Sequence, residues 1–308
     1  MEVPILFAGT PANAADTLRH LVTSGFNVVG VLTRPDAEVG RSRELTPSAV
    51  AIVAGELGLP LIKANRVDHD VIREIQALGA ELGIVVAYGS LLKRDALNAL
   101  PLGWFNLHYS LLPKYRGAAP VQHSLLNGDR ETGVTLFKLD EGMDTGEILS
   151  QTPTPINAGE NAANLLSRLT LIGCALLSES VPQISSATYS LKPQSGEASF
   201  APKLTREFGR IDWQSSARTI ECQVLACNPE PGAWTLLNGQ GFKILDAVAL
   251  PQTENLAPAQ PSLHGAKVLV GTGNGHLMLQ LVQPASKRQM AAMDWARGSL
   301  KPETRFES

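Results

Sequence analysis

Two short runs near the start of the chain are apolar from end to end: VPILFA at residues 3–8 and LGIVVA at residues 82–87. A strand with one solvated face alternates polar and apolar side chains. A run without that alternation fits a strand buried on both faces, and such strands belong to parallel sheets covered by helices on either side. The sequence between them supports this. Thr10-Pro11 suits an N-cap followed by a first helical position, and Gly25 suits the end of that helix. Residues 27–32 read as a second strand, and residues 47–57 and 68–78 carry Ala, Val, Ile and Leu at helical spacing. Residues 160–178 form a further long helical pattern that covers the sheet. The FAGTP turn after the first strand lacks the G-x-G-x-x-G spacing, so no dinucleotide site is predicted there.

Composition bounds the rest. A chain of 308 residues is long for one domain and comfortable for two. Hydrophobic residues make up 44% and charged residues 18%, which fits a globular protein with substantial cores. The net charge of −3 argues against a bulk polyanion binder, so contact with nucleic acid has to come from a local patch. Three cysteines, Cys174, Cys222 and Cys227, have an odd count and no metal-ligand spacing, which points to a reducing compartment. No basic segment precedes an apolar run at the N-terminus, and no stretch approaches eighteen unbroken apolar residues. The expectation is a cytoplasmic protein with no membrane partner.

A Ser-, Pro-, Gly- and Thr-rich stretch without periodicity marks a linker at residues 189–205, leaving domains at 1–188 and 206–308. Beyond it, Ser215 caps a helix running to about Ala226, stopped by Asn228-Pro229 and Pro231-Gly232. Short apolar runs follow, divided by Asn238-Gly239 and Gly273-Asn274-Gly275. Asn-Gly between β-prone runs is a hairpin signal, and several such strands in succession make a small barrel.

Chemistry concentrates in residues 104–146, WFNLHYSLLPKYRGAAPVQHSLLNGDRETGVTLFKLDEGMDTG. Asn106 and His108 lie two apart on an apolar run, and in a strand they project from one face. Pro113, Gly117 and Pro120 shape the loop that follows, and a second strand ends in a turn bearing Asp140, Glu141 and Asp144. An amide donor, an imidazole and a carboxylate are what acyl transfer to an amine needs.

The longer string resembles the folate-dependent formyltransferases, whose signature is an Asn-x-His strand, an SLLPxYRG loop and a D-x-G-x-D-T-G turn. Here the turn reads Asp140-Glu141-Gly142-Met143-Asp144-Thr145-Gly146. The resemblance implies a Rossmann-like α/β domain with a mostly parallel sheet that holds 10-formyltetrahydrofolate at its carboxyl edge, with tetrahydrofolate as product. Asn106, His108 and Asp144 are then catalytic. Asn106 donates to the tetrahedral oxyanion, a contribution of ~3 kcal/mol. His108 acts either as imidazolium beside the oxyanion or as the proton shuttle, and Asp144 holds the imidazole and raises its pKa. Tyr88, Gly89, Leu91 and Leu92 form a pterin-side wall. Ser110, Leu111, Leu112 and Pro113 bring backbone to the folate, and Asp140 and Gly142 lie under the pterin. Arg116 either shapes the acceptor entry or serves in a structural ion pair. His123 is read as structural, and neither a nucleophile nor a metal is required.

Within that family the resemblance narrows to the methionyl-tRNA formyltransferases. Residues 33–47, TRPDAEVGRSRELTP, stand where those enzymes carry a basic loop that enters the tRNA acceptor arm. In this chain Asp36, Glu38 and Glu44 offset Arg34, Arg41 and Arg43, so the loop is neutral. Gly209-Arg210-Ile211-Asp212-Trp213 and residues 284–290, PASKRQM, resemble two motifs of their C-terminal OB-like barrel. The implied partners are methionyl-tRNA, through Arg34, Arg41, Arg43, Lys287 and Arg288, and the folate, with the enzyme a monomer. Residues 200–308 carry eleven Lys and Arg against nine Asp and Glu, too small a surplus to identify RNA binding alone. The competing readings are a sugar-nucleotide N-formyltransferase and a noncatalytic folate- or RNA-binding module. The intact Asn106, His108 and Asp144 speak against the second.

Overall fold

The computed structural model describes residues 3–39 and 43–307. The chain divides into two compact units. One comprises the residues up to Pro120 with Glu131–Pro155 and Leu166–Ala201. The other comprises Val121–Arg130, Ile156–Leu165 and the residues from Pro202 on.

The first unit begins with β1 (Ile5–Gly9), α1 (Ala12–Thr23) and β2 (Val28–Thr33). Then come β3 (Ala37–Val39), β4 (Glu44–Thr46), α2 (Ala49–Glu56), β5 (Leu61–Lys63), α3 (His69–Ala77) and β6 (Leu82–Val86). After α4 (Arg94–Leu97) and β7 (Trp104–His108), the chain passes through α5 (Pro120–Leu126), which belongs to the second unit from Val121 on, to β8 (Glu131–Lys138) and β9 (Ile148–Pro155); α6 (Ala162–Ser185) follows and belongs to the first unit from Leu166 on. The seven-stranded sheet has the order β5-β2-β1-β6-β7-β8-β9. Its first five strands are parallel and the last two antiparallel. All five residues of β1 and of β6 are buried, as their unbroken apolar sequences required. Trp104, at the start of β7, is held in the core by an indole N–H donated to the Ala96 carbonyl at 2.8 Å.

Two local expectations near the start of the chain were corrected. The first helix takes Pro11, not Thr10, as its N-cap. The Thr10 hydroxyl instead donates to the Tyr88 carbonyl at 2.8 Å, because the carboxyl ends of β1 and β6 lie side by side. Residues 33–47 are not an unstructured loop: β3 and β4 pair antiparallel within them. Helices α2 and α3 start where a side chain satisfies their first amides, Ser48 accepting from Ala51 and Asp68 from Asp70 and Val71. Helix α6 is long and apolar enough to cross a membrane by length and composition, yet half of that apolar stretch is buried in the fold.

The residues read as a linker, 189–205, are unevenly shared. Those up to Ala201 belong to the first unit. Lys192 exchanges two backbone hydrogen bonds with Ile148, and Ser199 and Ala201 bond the loop after β7. The segment lacks periodicity because its partners are strand ends and loops rather than a continuous face.

The second unit contains a 3₁₀ turn (Arg206–Gly209), α7 (Ala217–Cys227), β10 (Ala233–Leu237) and β11 (Gln240–Leu250). Strands β12 (Pro261–His264), β13 (Lys267–Gly271), β14 (His276–Pro284) and β15 (Met290–Ala291) follow, then α8 (Ala292–Ser299). Ser216 caps α7, one residue later than predicted. The strands pair antiparallel in the order β10-β11-β14-β13-β12, with β15 on β14, and this path does not close on itself. Its core is aromatic: Trp213 stacks on Phe306 at 5.3 Å, and Phe242 meets Trp295 edge-on at 4.9 Å. Such pairs stabilise beyond their buried area by roughly 1 kcal/mol each.

Candidate active site

Strand β7 runs through the middle of the sheet, between β6 and β8, and ends at the carboxyl edge where open α/β sheets leave a crevice. Asn106 and His108 share its crevice-facing side. The buried His108 imidazole lies opposite Thr135 of β8 and meets Phe137 edge-on at 6.4 Å. Its Nε2 is 2.9 Å from the Tyr115 carbonyl oxygen. A carbonyl only accepts, so Nε2 carries the proton and Nδ1 of the neutral ring is left as a base. Asp144 Oδ2 stands 3.7 Å from Nδ1, too far for a direct hydrogen bond. The imidazole is therefore oriented by Tyr115 rather than by Asp144, which corrects the expectation.

The electrostatics require a second correction. Asp144 does favour the charged imidazole, as expected, but burial acts more strongly. The His108 pKa is depressed below its ordinary 6.5 by desolvation, with Asp144 and the Tyr115 carbonyl opposing that shift.

The loop after β7 presents the Tyr115 carbonyl. Tyr115 has a φ of +61°, a conformation rare for a large side chain, so the surroundings have to hold it. The Thr135 hydroxyl donates to the Ser110 carbonyl at 2.6 Å and accepts from the Leu112 amide at 3.2 Å. The Gln151 amide donates to the Leu112 carbonyl and to Thr135 Oγ1, both at 2.9 Å. Ser110 Oγ donates to the Lys114 carbonyl, and Ser199 Oγ accepts from the Tyr115 amide. Ser110, Leu111, Leu112 and Pro113, expected to contact a ligand, are outside the cleft lining and serve in this loop scaffold.

Asp144 lies in a turn fixed from three sides. The Asp140 carboxylate accepts from the Gly142 amide at 3.0 Å and from the Thr145 hydroxyl at 2.8 Å. A Cβ on Gly142 would lie 1.9 Å from Thr145 Oγ1, so the turn admits no side chain there. Asp144 Oδ2 accepts from the Gly117 amide at 2.7 Å. Gly117 has a φ of +121°, and a Cβ would press on the Ala201 carbonyl at 2.9 Å. Asp144 itself has a φ of +52°, and Gln194 bonds the turn from behind.

These groups line one cleft of about 450 Å³, within the range of small-molecule sites. Asn106, His108 and Asp144 meet there with Tyr88, Gly89, Leu91, Leu92, Asp140, Gly142 and Met143. Among the described residues the Asn106 carboxamide has no hydrogen-bond partner, so its N–H groups are available as donors. Leu91 and Met143 are 68% and 53% exposed and line the cleft with apolar surface. Tyr88 is anchored by its hydroxyl on the Ala64 carbonyl at 2.7 Å, and burial pushes its pKa up.

Arg34 Nη1 donates to the Gly89 carbonyl at 2.6 Å and lines a neighbouring hollow with Thr10, Pro11, Asp36 and Asn65. Arg41 is outside the described residues. Arg43, 81% exposed, pairs with Glu38 at 3.4 Å across the β3–β4 hairpin. Lys287 and Arg288 are exposed in the turn between β14 and β15. Arg116 donates through Nε and Nη2 to Gln194 Oε1, a neutral amide in place of the carboxylate of the structural ion pair. His123 Nε2 donates to the Pro202 carbonyl, the structural part expected of it. Sequence reading missed the Tyr115 carbonyl, Thr135, Gln151 and Gln194. Neither Gln gave a signal: Gln151 is a neutral amide on an edge strand and Gln194 one in an aperiodic stretch, and each looks like any surface residue.

Comparison with known proteins bears on this geometry. The Formyl transferase family matches residues 1–181, and its C-terminal domain matches residues 203–300. A methionyl-tRNA formyltransferase of Pseudarthrobacter chlorophenolicus is 48% identical over 295 residues, covering 96% of each chain. That of Paenarthrobacter aurescens is 46% identical over 299 residues, covering 97% of this chain and 98% of its own. Among solved structures, the N-formyltransferase from Helicobacter canadensis, in complex with folinic acid and dTDP-3-aminofucose, superposes with a TM-score of 0.65. It is 20% identical and covers 90% of this chain and 99% of its own, a likeness of fold.

Proposed function

The chain belongs to the formyl transferase family, and from that premise we propose that it formylates methionyl-tRNA with 10-formyltetrahydrofolate as donor. The observation that carries this reading is the meeting of an uncommitted Asn106 amide, the bare Nδ1 of His108 and the Asp144 carboxylate in one apolar-walled cleft. The folate is consumed and is therefore a substrate. Leu91, Leu92 and Met143 offer apolar surface to its rings, and the Asp140 turn offers polar backbone.

The residues divide the chemistry as follows. The neutral α-amine attacks the formyl carbon, forming a C–N bond while the carbonyl electron pair moves onto oxygen. Asn106 donates an N–H to that oxyanion. His108 Nδ1 takes the proton leaving the amine, and the resulting imidazolium lies between its Tyr115 tether and the Asp144 charge. Collapse breaks the bond from carbon to N10, and the same proton passes to N10. Tetrahydrofolate and the formamide leave, and no enzyme-bound acyl group forms. A base whose pKa is held down by burial returns its proton readily, which suits a shuttle better than a standing imidazolium.

For the acceptor, the β3–β4 hairpin rises from the carboxyl end of β2, at the sheet edge that bears the cleft. Arg34, Arg41 and Arg43 in the sequence 33–47 contact the acceptor arm, and Lys287 and Arg288 give the 206–308 domain its own phosphate contacts. The enzyme works as a monomer in the cytoplasm. A sugar-nucleotide acceptor is the second reading, favoured by the fold of the Helicobacter protein, but relatives named for Met-tRNA match nearly the whole chain at 46–48% identity. Offering radiolabelled formyl donor with Met-tRNA, uncharged tRNA and dTDP-amino sugars separates them. Label in formyl-methionine alone supports the proposal, and label in an amino sugar with none in Met-tRNA overturns it.

A further inference from the structure

One side chain from the aperiodic stretch before the second unit reaches the turn that carries Asp144. Gln194 Nε2 donates to the carbonyls of Asp144 and Gly146, at 2.8 and 2.9 Å. Its Oε1 accepts from Arg116 Nη2 at 2.6 Å and from Nε at 3.2 Å. Both amide protons and the amide oxygen are thus used. Neither Glu, which only accepts, nor Lys, which only donates, could make this set. The backbone around Gln194 is itself fixed. Lys192 is paired to Ile148 at the start of β9, and Ala201 to Arg116 beyond the Tyr115 loop. The side chain therefore spans between two segments that face His108 from opposite sides, one supplying the Tyr115 carbonyl and the other the Asp144 carboxylate.

The turn needs such a hold. Asp144 has a φ of +52°, a left-handed conformation that is unfavourable for a non-glycine residue and persists where neighbours determine it. Asp140 secures the near half of the turn and the Gly117 amide secures the carboxylate. Among the described residues, the Asp144 carbonyl is bonded by Gln194.

We propose that Gln194 is a positioning residue for formyl transfer, its amide holding the Asp144 turn so that the carboxylate stands against His108 Nδ1. This rests on the functional reading of Asp144 and His108 given above. A brace for the fold alone would have a different signature. It would affect melting temperature but neither turnover nor the imidazole.

The test uses the full-length protein with Gln194→Glu and Gln194→Ala. The glutamate keeps the length and the Arg116 bond but sets a carboxylate against two carbonyls, so it isolates the two donated bonds. Each variant is assayed for kcat and KM, and the His108 ring is titrated by NMR without substrates. Expected is a 10- to 100-fold loss in kcat, the order for an ångström-scale misplacement, with donor KM changed by about twofold at most. The His108 titration should move to lower pH, because the charge that favours its protonated form has moved away. A folded variant with wild-type kcat overturns the proposal, and so does a loss of kcat with the His108 titration unmoved. Should the wild-type protein transfer nothing to Met-tRNA, the functional reading falls. The titration arm still decides whether Gln194 positions Asp144.

Discussion

Thr135→Val offers a measure of how far the catalytic loop depends on one hydroxyl. Thr135 is fully buried on β8, and its Oγ1 is the meeting point of three hydrogen bonds: donated to Ser110 O, accepted from Leu112 N and accepted from Gln151 Nε2. Valine has nearly the same shape, so no cavity forms, and the whole effect comes from lost bonds. Each net bond contributes about 1 kcal/mol, and a buried amide or carbonyl left without a partner costs about 1–3 kcal/mol. Gln151 keeps its other bond, to the Leu112 carbonyl, so its loss is at the low end. The sum is about 3 kcal/mol of unfolding free energy. Thr135→Ser retains the hydroxyl and deletes one methyl, which costs about 1 kcal/mol. Urea unfolding of both variants measures the difference. The same loop carries the Tyr115 carbonyl, so kcat should fall in the valine variant and hold in the serine variant. A valine variant as stable as the serine variant would mean that the hydroxyl bonds nothing that water cannot replace.

Further expectations follow from the charges. In the free enzyme His108 should titrate below its ordinary 6.5, and Asp144→Asn should lower that value further by removing the charge that opposes burial; two-dimensional NMR of the ring nitrogens reads both. The sign for stability follows: the unfolded chain binds this proton first, so the contribution is intact above about 6.5 and is lost as pH falls through the folded value. A His108→Gln variant should show a shallower acid-side decline in chemical denaturation midpoints. For the acceptor, Arg41→Ala should lower kcat/KM for Met-tRNA by ~1–3 kcal/mol with folate binding unchanged, and equal values across a salt series would remove this residue from the interface. Arg43→Ala should cost less, because Glu38 already partners that guanidinium.

How much of this was legible depended on which atoms carry each interaction. Side chains that alternate or repeat leave a pattern. The unbroken apolar runs gave the buried strands β1 and β6, and the two-residue spacing put Asn106 and His108 on one face of β7. Backbone partners leave none. The Tyr115 carbonyl orients His108, yet nothing in the letters around Tyr115 announces a left-handed residue. Balance between opposing effects was hidden as well: the charge of Asp144 was readable, whereas the depth of burial that outweighs it depends on how β7, β8 and the loop close over the ring. Gln194 lies fifty positions from Asp144, and only the fold brings them together. The assignment of Val121–Arg130 and Ile156–Leu165 to the second unit had no compositional mark either.

In the proposed mechanism Asn106, His108 and Asp144 act as one unit on a single transfer step. It is tested most directly by a double-mutant cycle in single-turnover formylation of Met-tRNA, with Asn106→Ala, His108→Ala and the pair. Each single change should slow the transfer by ~10² or more, and the pair by much less than the product of the two. Near-normal turnover by His108→Ala, or losses that multiply fully, would mean that the two side chains do not share one step.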